Sequence, residues 1–379
     1  MPILTRRLVP AALGWALVFG GVPAAGATPA GTVRLSAGLR AGPAGGSGWQ
    51  LRYASVRAGP GSLTSVVALT PKDAWAAGYT APGPRSGPGA LVMKWNGSFW
   101  SRVAIRHGLA FGPATVAASG PKNVWLFGSW IQRWDGSRWH RIPVVAGPAF
   151  GENSPVVLSA TNVWMFGMTF TGRNGCVSTM WHWNGQRWRF WPIRRFCATA
   201  MAGSSWRNVW VVGTQTFETF TATPPVTAWR WGGRSWRAVP MPHPRTHHTL
   251  PEVVVGSARN VWISNNAADR SFPNQPSPGY ALHWNGGGWI STPASGLALG
   301  DEGATTSAHA GLWLGPDADF SAGAWLDTTP GPGFNNEDGY LFQALARVPG
   351  SVTVWGVGQR AVGSGAARYP LIASDSSAP

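Results

Sequence analysis

Acid is scarce in this chain. Aspartate and glutamate together number 14, against 30 lysines and arginines, for a formal net charge of +16. Charged residues of both signs are only 12% of the total. That balance excludes long polar helices laced with ion pairs and favours short strands joined by Gly-, Ser- and Asn-rich turns. Lysine is rarer still: Lys72, Lys94 and Lys122 are the whole set, so the cationic surface is arginine. Cysteine is confined to Cys176 and Cys197. The absence of a Cys-x-x-Cys spacing speaks against a metal pair or a reactive thiol and for a disulfide. No Gly-x-Ser-x-Gly elbow, phosphate loop, EF-hand loop or metallopeptidase helix occurs. No recognised nucleic-acid module occurs either, and net charge alone does not imply nucleic acid as a partner.

Long apolar runs are missing except at the start. Arg6 and Arg7 precede an apolar stretch over residues 8–22, and Ala25-Gly26-Ala27 offers a small-x-small cleavage site. Residues 1–27 read as a secretory signal peptide, too short for a transmembrane anchor. Pro10 interrupts the apolar residues that a twin-arginine signal needs, so the ordinary secretory route is expected. No Cys stands at the cleavage site for a lipid anchor. Loss of Arg6 and Arg7 takes the charge from +16 to 16 − 2 = +14. Residues 28–47 form a Gly/Pro/Ala-rich linker, and 48–379 the folded domain.

Tryptophan is what the chain has in excess, with 25 residues. Seven of them recur in one phrase: a small or β-branched residue, Trp, two apolar residues, usually Gly. They are Trp75, Trp125, Trp164, Trp210, Trp262, Trp313 and Trp355, at spacings of 50, 39, 46, 52, 51 and 42. A period in that range marks a radial array of four-stranded units. The clearest unit spans residues 155–192 and reads as four strands. Its third and fourth strands flank Asn184-Gly185, a strong hairpin signal because both positions of a type I′ turn need φ > 0. The turn recurs at Asn96-Gly97, Asp135-Gly136, Gly232-Gly233 and Asn285-Gly286. A tryptophan stands on either side: Trp95 and Trp100, Trp134 and Trp139, Trp183 and Trp188, Trp231 and Trp236, Trp284 and Trp289. A two-residue turn sets Trp95 opposite Ser98 and Trp100 opposite Met93, with the two indoles diagonal on one face. Lys94, Arg133, His182, Arg230 and His283 then point the other way. The repeated tryptophans read as core between blades.

The expected fold is all-β: a seven-bladed β-propeller of four-stranded antiparallel blades. Trp49 belongs to a phrase like that of a fourth strand, yet no unit precedes it, and the last unit lacks a fourth strand. The N-terminal strand is therefore expected to complete the last blade and close the ring, removing exposed edges. The sixth unit keeps Trp313 but lacks the Trp-Asn-Gly hairpin. Both cysteines fall in the third repeat, where a bridge is expected to staple loops of one unit.

In such a blade the first–second and third–fourth turns share one face. These turns carry Lys72, Lys122, Arg207 and Arg259, and Arg138, Arg187 and Arg234, a basic rim that attracts anionic polymers. The opposite face takes the longer loops, near residues 80–90, 105–113, 214–226, 240–249 and 265–279, where variable scaffolds place function. Candidate ligand contacts are Trp130, Trp191 and Trp325, which lie outside the repeated phrase, and His243, His247 and His248 with Glu252 near; the histidine spacing matches no strong metal motif. Asp301, Glu302, Asp317, Asp319, Asp327, Glu337 and Asp338 concentrate acid around the sixth unit, where a cation or a paired-carboxylate hydrolase site is conceivable.

The phrases Asn-Val-Trp-x-x-Gly and His-Trp-Asn-Gly-x-x-Trp resemble the tandem repeats of secreted bacterial seven-bladed propellers of the kelch and galactose-oxidase-like kind. The hairpin is also similar to the Asp boxes of sialidases, though there Asp and Gly are separated by one residue, and to the Trp-Asp-Gly hairpins of propeller lectins. The chain has only five Tyr and no visible tyrosine–cysteine copper site, so the resemblance carries no catalytic residue with it. The resemblance is specific for architecture and not for activity; the expected function is that of a secreted, extracellular, non-catalytic binding propeller, monomeric and without a cofactor, that takes a glycan, an anionic cell-envelope polymer or a protein. The alternative is an extracellular carbohydrate-active enzyme (hydrolase, lyase or oxidase) using the long-loop face.

Overall fold

A computed structural model of the chain describes residues 49–55, 59–81, 88–105, 114–144, 154–172, 175–216, 225–242, 251–265, 280–293, 304–307, 311–314, 318–321, 324–327, 340–351, 353–361 and 367–375. All regular structure among them is β. After β1 (Trp49–Ala54), sheet 1 holds β2 (Gly61–Thr70), β3 (Asp73–Thr80), β4 (Gly89–Trp95) and β5 (Trp100–Arg102). Sheet 2 holds β6 (Thr115–Gly120), β7 (Asn123–Phe127), β8 (Ile131–Trp134) and β9 (Trp139–Ile142). Sheet 3 is β10 (Val156–Ser159), β11 (Asn162–Thr171), β12 (Gly175–Trp183) and β13 (Trp188–Arg194). Sheet 4 is β14 (Cys197–Ser205), β15 (Asn208–Thr214), β16 (Val226–Trp231) and β17 (Trp236–Val239). Sheet 5 is β18 (Pro251–Ser257), β19 (Asn260–Asn265), β20 (Tyr280–Trp284) and β21 (Trp289–Pro293). Sheet 6 is β22 (Ala304–Ser307), β23 (Gly311–Leu314), β24 (Ala318–Ser321) and β25 (Ala324–Asp327), four strands despite its eroded hairpin sequence.

The last sheet breaks the sequence order. β26 (Tyr340–Arg347), β27 (Val354–Ala361) and β28 (Arg368–Asp375) are joined at the outer side by β1, antiparallel to β28 with Trp49 opposite Asp375 and Leu51 opposite Ala373. First strands touch in succession: β2 with β6, β6 with β10, β10 with β14, β14 with β18, β18 with β22, β22 with β26, and β26 with β2. Four-stranded antiparallel sheets in this order are the architecture of a β-propeller.

All seven repeat tryptophans stand on the second strand of their sheet. Trp75, Trp125, Trp164 and Trp210 are fully buried. Each meets hairpin indoles of the next sheet. Trp75 lies 5.7 Å edge-on from Trp139, Trp164 5.6 Å from Trp236, Trp210 5.8 Å from Trp289, and Trp355 5.1 Å from Trp100. T-shaped packing sets the electropositive edge of one ring on the negative face of another, which adds about 0.5–1.5 kcal/mol per pair beyond area burial. The Trp355 contact joins β27 to sheet 1. Polar rivets cross the same seams: Val116 N donates to Ser65 Oγ at 2.9 Å, Thr199 Oγ1 to Pro251 O at 2.6 Å, and Ser62 Oγ to Gln343 Oε1 at 3.1 Å.

Two expectations are corrected. The hairpin loops contain four residues, not two, and the flanking tryptophans face each other directly: Trp95 with Trp100, Trp183 with Trp188, Trp284 with Trp289. The cause is the asparagine side chain. Asn96 Oδ1 accepts from the amides of Ser98 and Phe99, both at 3.0 Å, so Asn caps the loop instead of taking φ > 0. Only the glycine is left-handed, Gly97 at φ 98°.

The disulfide between Cys176 and Cys197 forms as expected, with a Cα–Cα distance of 5.1 Å. It does not staple one unit. Cys176 is on β12 and Cys197 on β14, so the bridge joins sheet 3 to sheet 4. The chain finishes β13 and turns at Arg195, the one non-glycine residue with positive φ among those described, before β14 begins. Ser178 Oγ locks the same seam, accepting from Ala198 N at 2.8 Å and donating to Phe196 O at 2.7 Å.

Candidate functional site

The end of the molecule that carries the short turns is built by one repeated contact. In sheets 1 to 5 the second residue of the first–second-strand turn lays its side chain over the glycine of the hairpin loop beside it. Lys122 lies on Gly136, Arg207 on Gly233 and Arg259 on Gly286; a Cβ added at Gly286 would fall 2.6 Å from Arg259 Cγ. Glycine is thus required there for space as well as for its φ of 100°. The aliphatic stems cover the loop, and the charged heads reach water. Lys72 covers Gly97 in the same way, while sheet 3 uses Thr161 over Gly185.

The basic rim is therefore brought to one end of the fold. Lys72, Lys122, Arg138, Arg187, Arg207, Arg234 and Arg259 are all exposed. Asp135 is the acid among them. Its carboxylate holds His140 Nε2 at 2.6 Å, stands 4.0 Å from Arg138 Nε, and accepts the amides of Ser137 and Arg138. The His140 contact first, and then these amides, hold its pKa well below the ordinary carboxylate range. Among the described residues these are the ion pairs present, and the other six rim cations enter none.

Behind the rim, the polar residues of the third strands are taken up internally. Lys94, Arg133, His182, Arg230 and His283 stand directly opposite the repeat tryptophans Trp75, Trp125, Trp164, Trp210 and Trp262. His182 stacks on Trp164 with centroids 4.2 Å apart, and His283 on Trp262 at 4.3 Å. Lys94 Nζ lies 4.8 Å and Arg230 Cζ 5.5 Å from the corresponding ring centroids. An asparagine opens β7, β11, β15 and β19, and in sheet 3 it closes the unit. Asn162 Oδ1 accepts from Trp164 Nε1 and from His182 Nε2, both at 2.9 Å. Indole N–H only donates, so the amide oxygen faces it, and the His182 proton sits on Nε2. Burial first, and Arg189 second, push the His182 pKa down to about 4. Burial likewise lowers that of His283 and raises that of Asp73, which opens β3.

The other candidate residues do not converge. Trp130 is 41% exposed, with the Arg141 guanidinium carbon 3.2 Å from its ring centroid. Trp191 is half-buried, stacked on Trp164 at 5.7 Å and tilted against Trp231 at 4.9 Å, so its ring is spent on the sheet 3–sheet 4 seam. Trp325 is on β25 opposite Phe320; its side chain lies outside the described set. His243, His247 and His248 lie outside the described residues, as do most of the long loops, Asp301, Glu302, Asp317, Glu337 and Asp338. Among the described residues no group of three His, Cys, Asp or Glu could hold a metal ion. No helix among them is long and apolar enough to cross a membrane.

One exposed aromatic escapes the periodic reading. Trp206 belongs to the turn of sheet 4, beside Arg207, and is 45% exposed. Its signal in the sequence is a tryptophan two residues ahead of Asn-Val-Trp, a position held elsewhere by Pro71, Pro121, Ala160 and Ala258.

No family model and no curated protein matches the chain. Solved structures do. The polysaccharide lyase Uly1 is similar with a TM-score of 0.51 at 8% identity, over 85% of this chain and 91% of that one. The acylaminoacyl peptidase of Pyrococcus horikoshii gives 0.51 at 7% identity, over 79% of this chain and 50% of the peptidase. YCF48 from Cyanidioschyzon merolae gives 0.48 at 11% identity, over 87% and 99%. At such identities the first two likenesses show the fold alone.

Proposed function

We propose that this chain is an exported, non-catalytic binding propeller of seven blades, closed by its N-terminal strand, whose short-turn end docks on an anionic polymer of glycan type. The observation that carries the reading is the rim: seven exposed cations at one end, six without an ion pair among the described residues. A face of one sign concentrates polyanions and speeds encounter. Closure is supported by the β1–β28 pairing and by the succession of first-strand contacts that returns from β26 to β2. Export is supported by the N-terminal apolar segment and by the buried disulfide, since such bridges persist in oxidising compartments. The kinship with kelch and galactose-oxidase-like propellers belongs to the same reading and rests on the repeated phrases.

The test is binding to immobilised polygalacturonate, with dextran as the neutral control, across a salt series. Raising salt from about 0.1 M to about 1 M shortens the screening length from about 10 Å to about 3 Å. Binding to the polyanion is expected to fall steeply over that range, with none to dextran. Salt-insensitive binding, or equal retention on dextran, would refute the rim as the docking surface.

A further inference from the structure

Sheet 4 departs from its neighbours twice at the same spot. Its turn puts Trp206 where sheets 1, 2, 3 and 5 have Pro or Ala, and the ring remains 45% exposed although indole is among the largest apolar groups a fold can bury. Its hairpin has Gly232 where the others have Asn or Asp, so no side chain caps the loop amides, and a Cβ at Gly232 would meet nothing within 4 Å. Trp206 leans over the bared loop, with Cζ2 3.4 Å from the place a Gly233 Cβ would take. Arg207 Cζ lies 5.6 Å from the Trp206 ring centroid, and Arg234 follows Gly233 directly. Both arginines are exposed, and neither is ion-paired among the described residues.

We infer that Trp206, Arg207 and Arg234 form a subsite for an anionic sugar, a pyranose ring bearing a carboxylate. The inference rests on the rim being a binding surface and names the class of ligand it takes. The indole face is electronegative and flat, and it matches the electropositive C–H face of a pyranose. A guanidinium fork accepts a carboxylate through two parallel N–H···O bonds, a geometry that an ammonium lacks. The missing cap at Gly232 leaves the approach to the ring open. An acidic peptide would satisfy the arginines but offers no C–H face to the indole.

Affinities of the wild type, Trp206→Ala, Trp206→Phe and Arg207→Ser/Arg234→Ser for oligogalacturonate and for polyglutamate test this. Trp206→Ala is expected to weaken oligogalacturonate about tenfold, to leave polyglutamate within about twofold, and to keep the thermal midpoint, because the ring is exposed. Trp206→Phe is expected to recover most of the loss, and the double arginine variant to weaken both ligands. If Trp206→Ala leaves oligogalacturonate binding intact while salt still abolishes it, the subsite is wrong and the rim stands. If the alanine variant weakens both ligands alike, or the wild type prefers polyglutamate, the sugar class is wrong. If the wild type binds neither polyanion at low salt, both readings fall.

Discussion

Asn162 holds two donors with one oxygen, and that makes its removal a sharp test of how the sheets are fixed internally. Substitution by alanine leaves Trp164 Nε1 and His182 Nε2 facing a vacated acceptor site. Trp164 is fully buried and His182 half-buried, so water replaces the lost bonds poorly. An unsatisfied neutral donor costs about 1–3 kcal/mol. Two donors, one of them partly hydrated, give a loss of roughly 3 kcal/mol for Asn162→Ala. For a domain of this size that corresponds to a fall of roughly 4 °C in Tm. Asn162→Asp keeps an acceptor oxygen, so it is expected to lose less. Urea denaturation followed by tryptophan fluorescence measures the effect as a shift in midpoint at unchanged slope. A loss under about 0.5 kcal/mol for the alanine variant would refute the shared-acceptor argument.

The same unit predicts a pH dependence. His182 is neutral when folded, with a pKa of about 4, against about 6.5 when unfolded. The unfolded state therefore binds the extra proton between these values, and stability falls as pH drops from about 6.5 toward 4. Allowing for the exposed part of the ring, the fall is about 1–2 kcal/mol, and His182→Gln is expected to flatten the curve of midpoint against pH. Replacing Cys176 and Cys197 by alanine reopens a loop of 21 residues and is expected to cost about 3 kcal/mol in equilibrium unfolding. Deleting residues 28–56 removes β1 and exposes the β28 edge; cooperative thermal unfolding is expected to be lost, and an unchanged melting temperature would contradict closure by that strand.

What could be read in advance was whatever repeats. The tryptophan phrase places the second strand of every sheet, because burial against a neighbouring sheet demands the same flat side chain at the same register. The orphan phrase around Trp49 points to β1. The hairpin geometry was hidden because Asn-Gly has two uses. One takes φ > 0 at both residues; the other, used here, spends the asparagine side chain on two amides. Cys197 follows the fourth strand by so few residues that sequence spacing could not say which sheet it joins. Lys94, His182 and their equivalents were legible as facing away from the hairpin indoles, but not as lying opposite the repeat tryptophans, which follows from how the second and third strands pair. The rim was legible as a list of cations, since turns between short strands alternate ends. Trp206 was missed: its place two residues ahead of Asn-Val-Trp sets it apart in the sequence, but its exposure shows only in the fold.

The most direct measurement of the central claim is the affinity of a rim-neutralised protein, Lys72→Gln/Lys122→Gln/Arg259→Gln, for polygalacturonate at low salt. Glutamine keeps two methylenes over each hairpin glycine and removes only the charge. The account predicts an affinity at least about tenfold weaker, a shallower dependence on salt, and an unchanged melting temperature. Wild-type affinity with an unchanged salt dependence would contradict it.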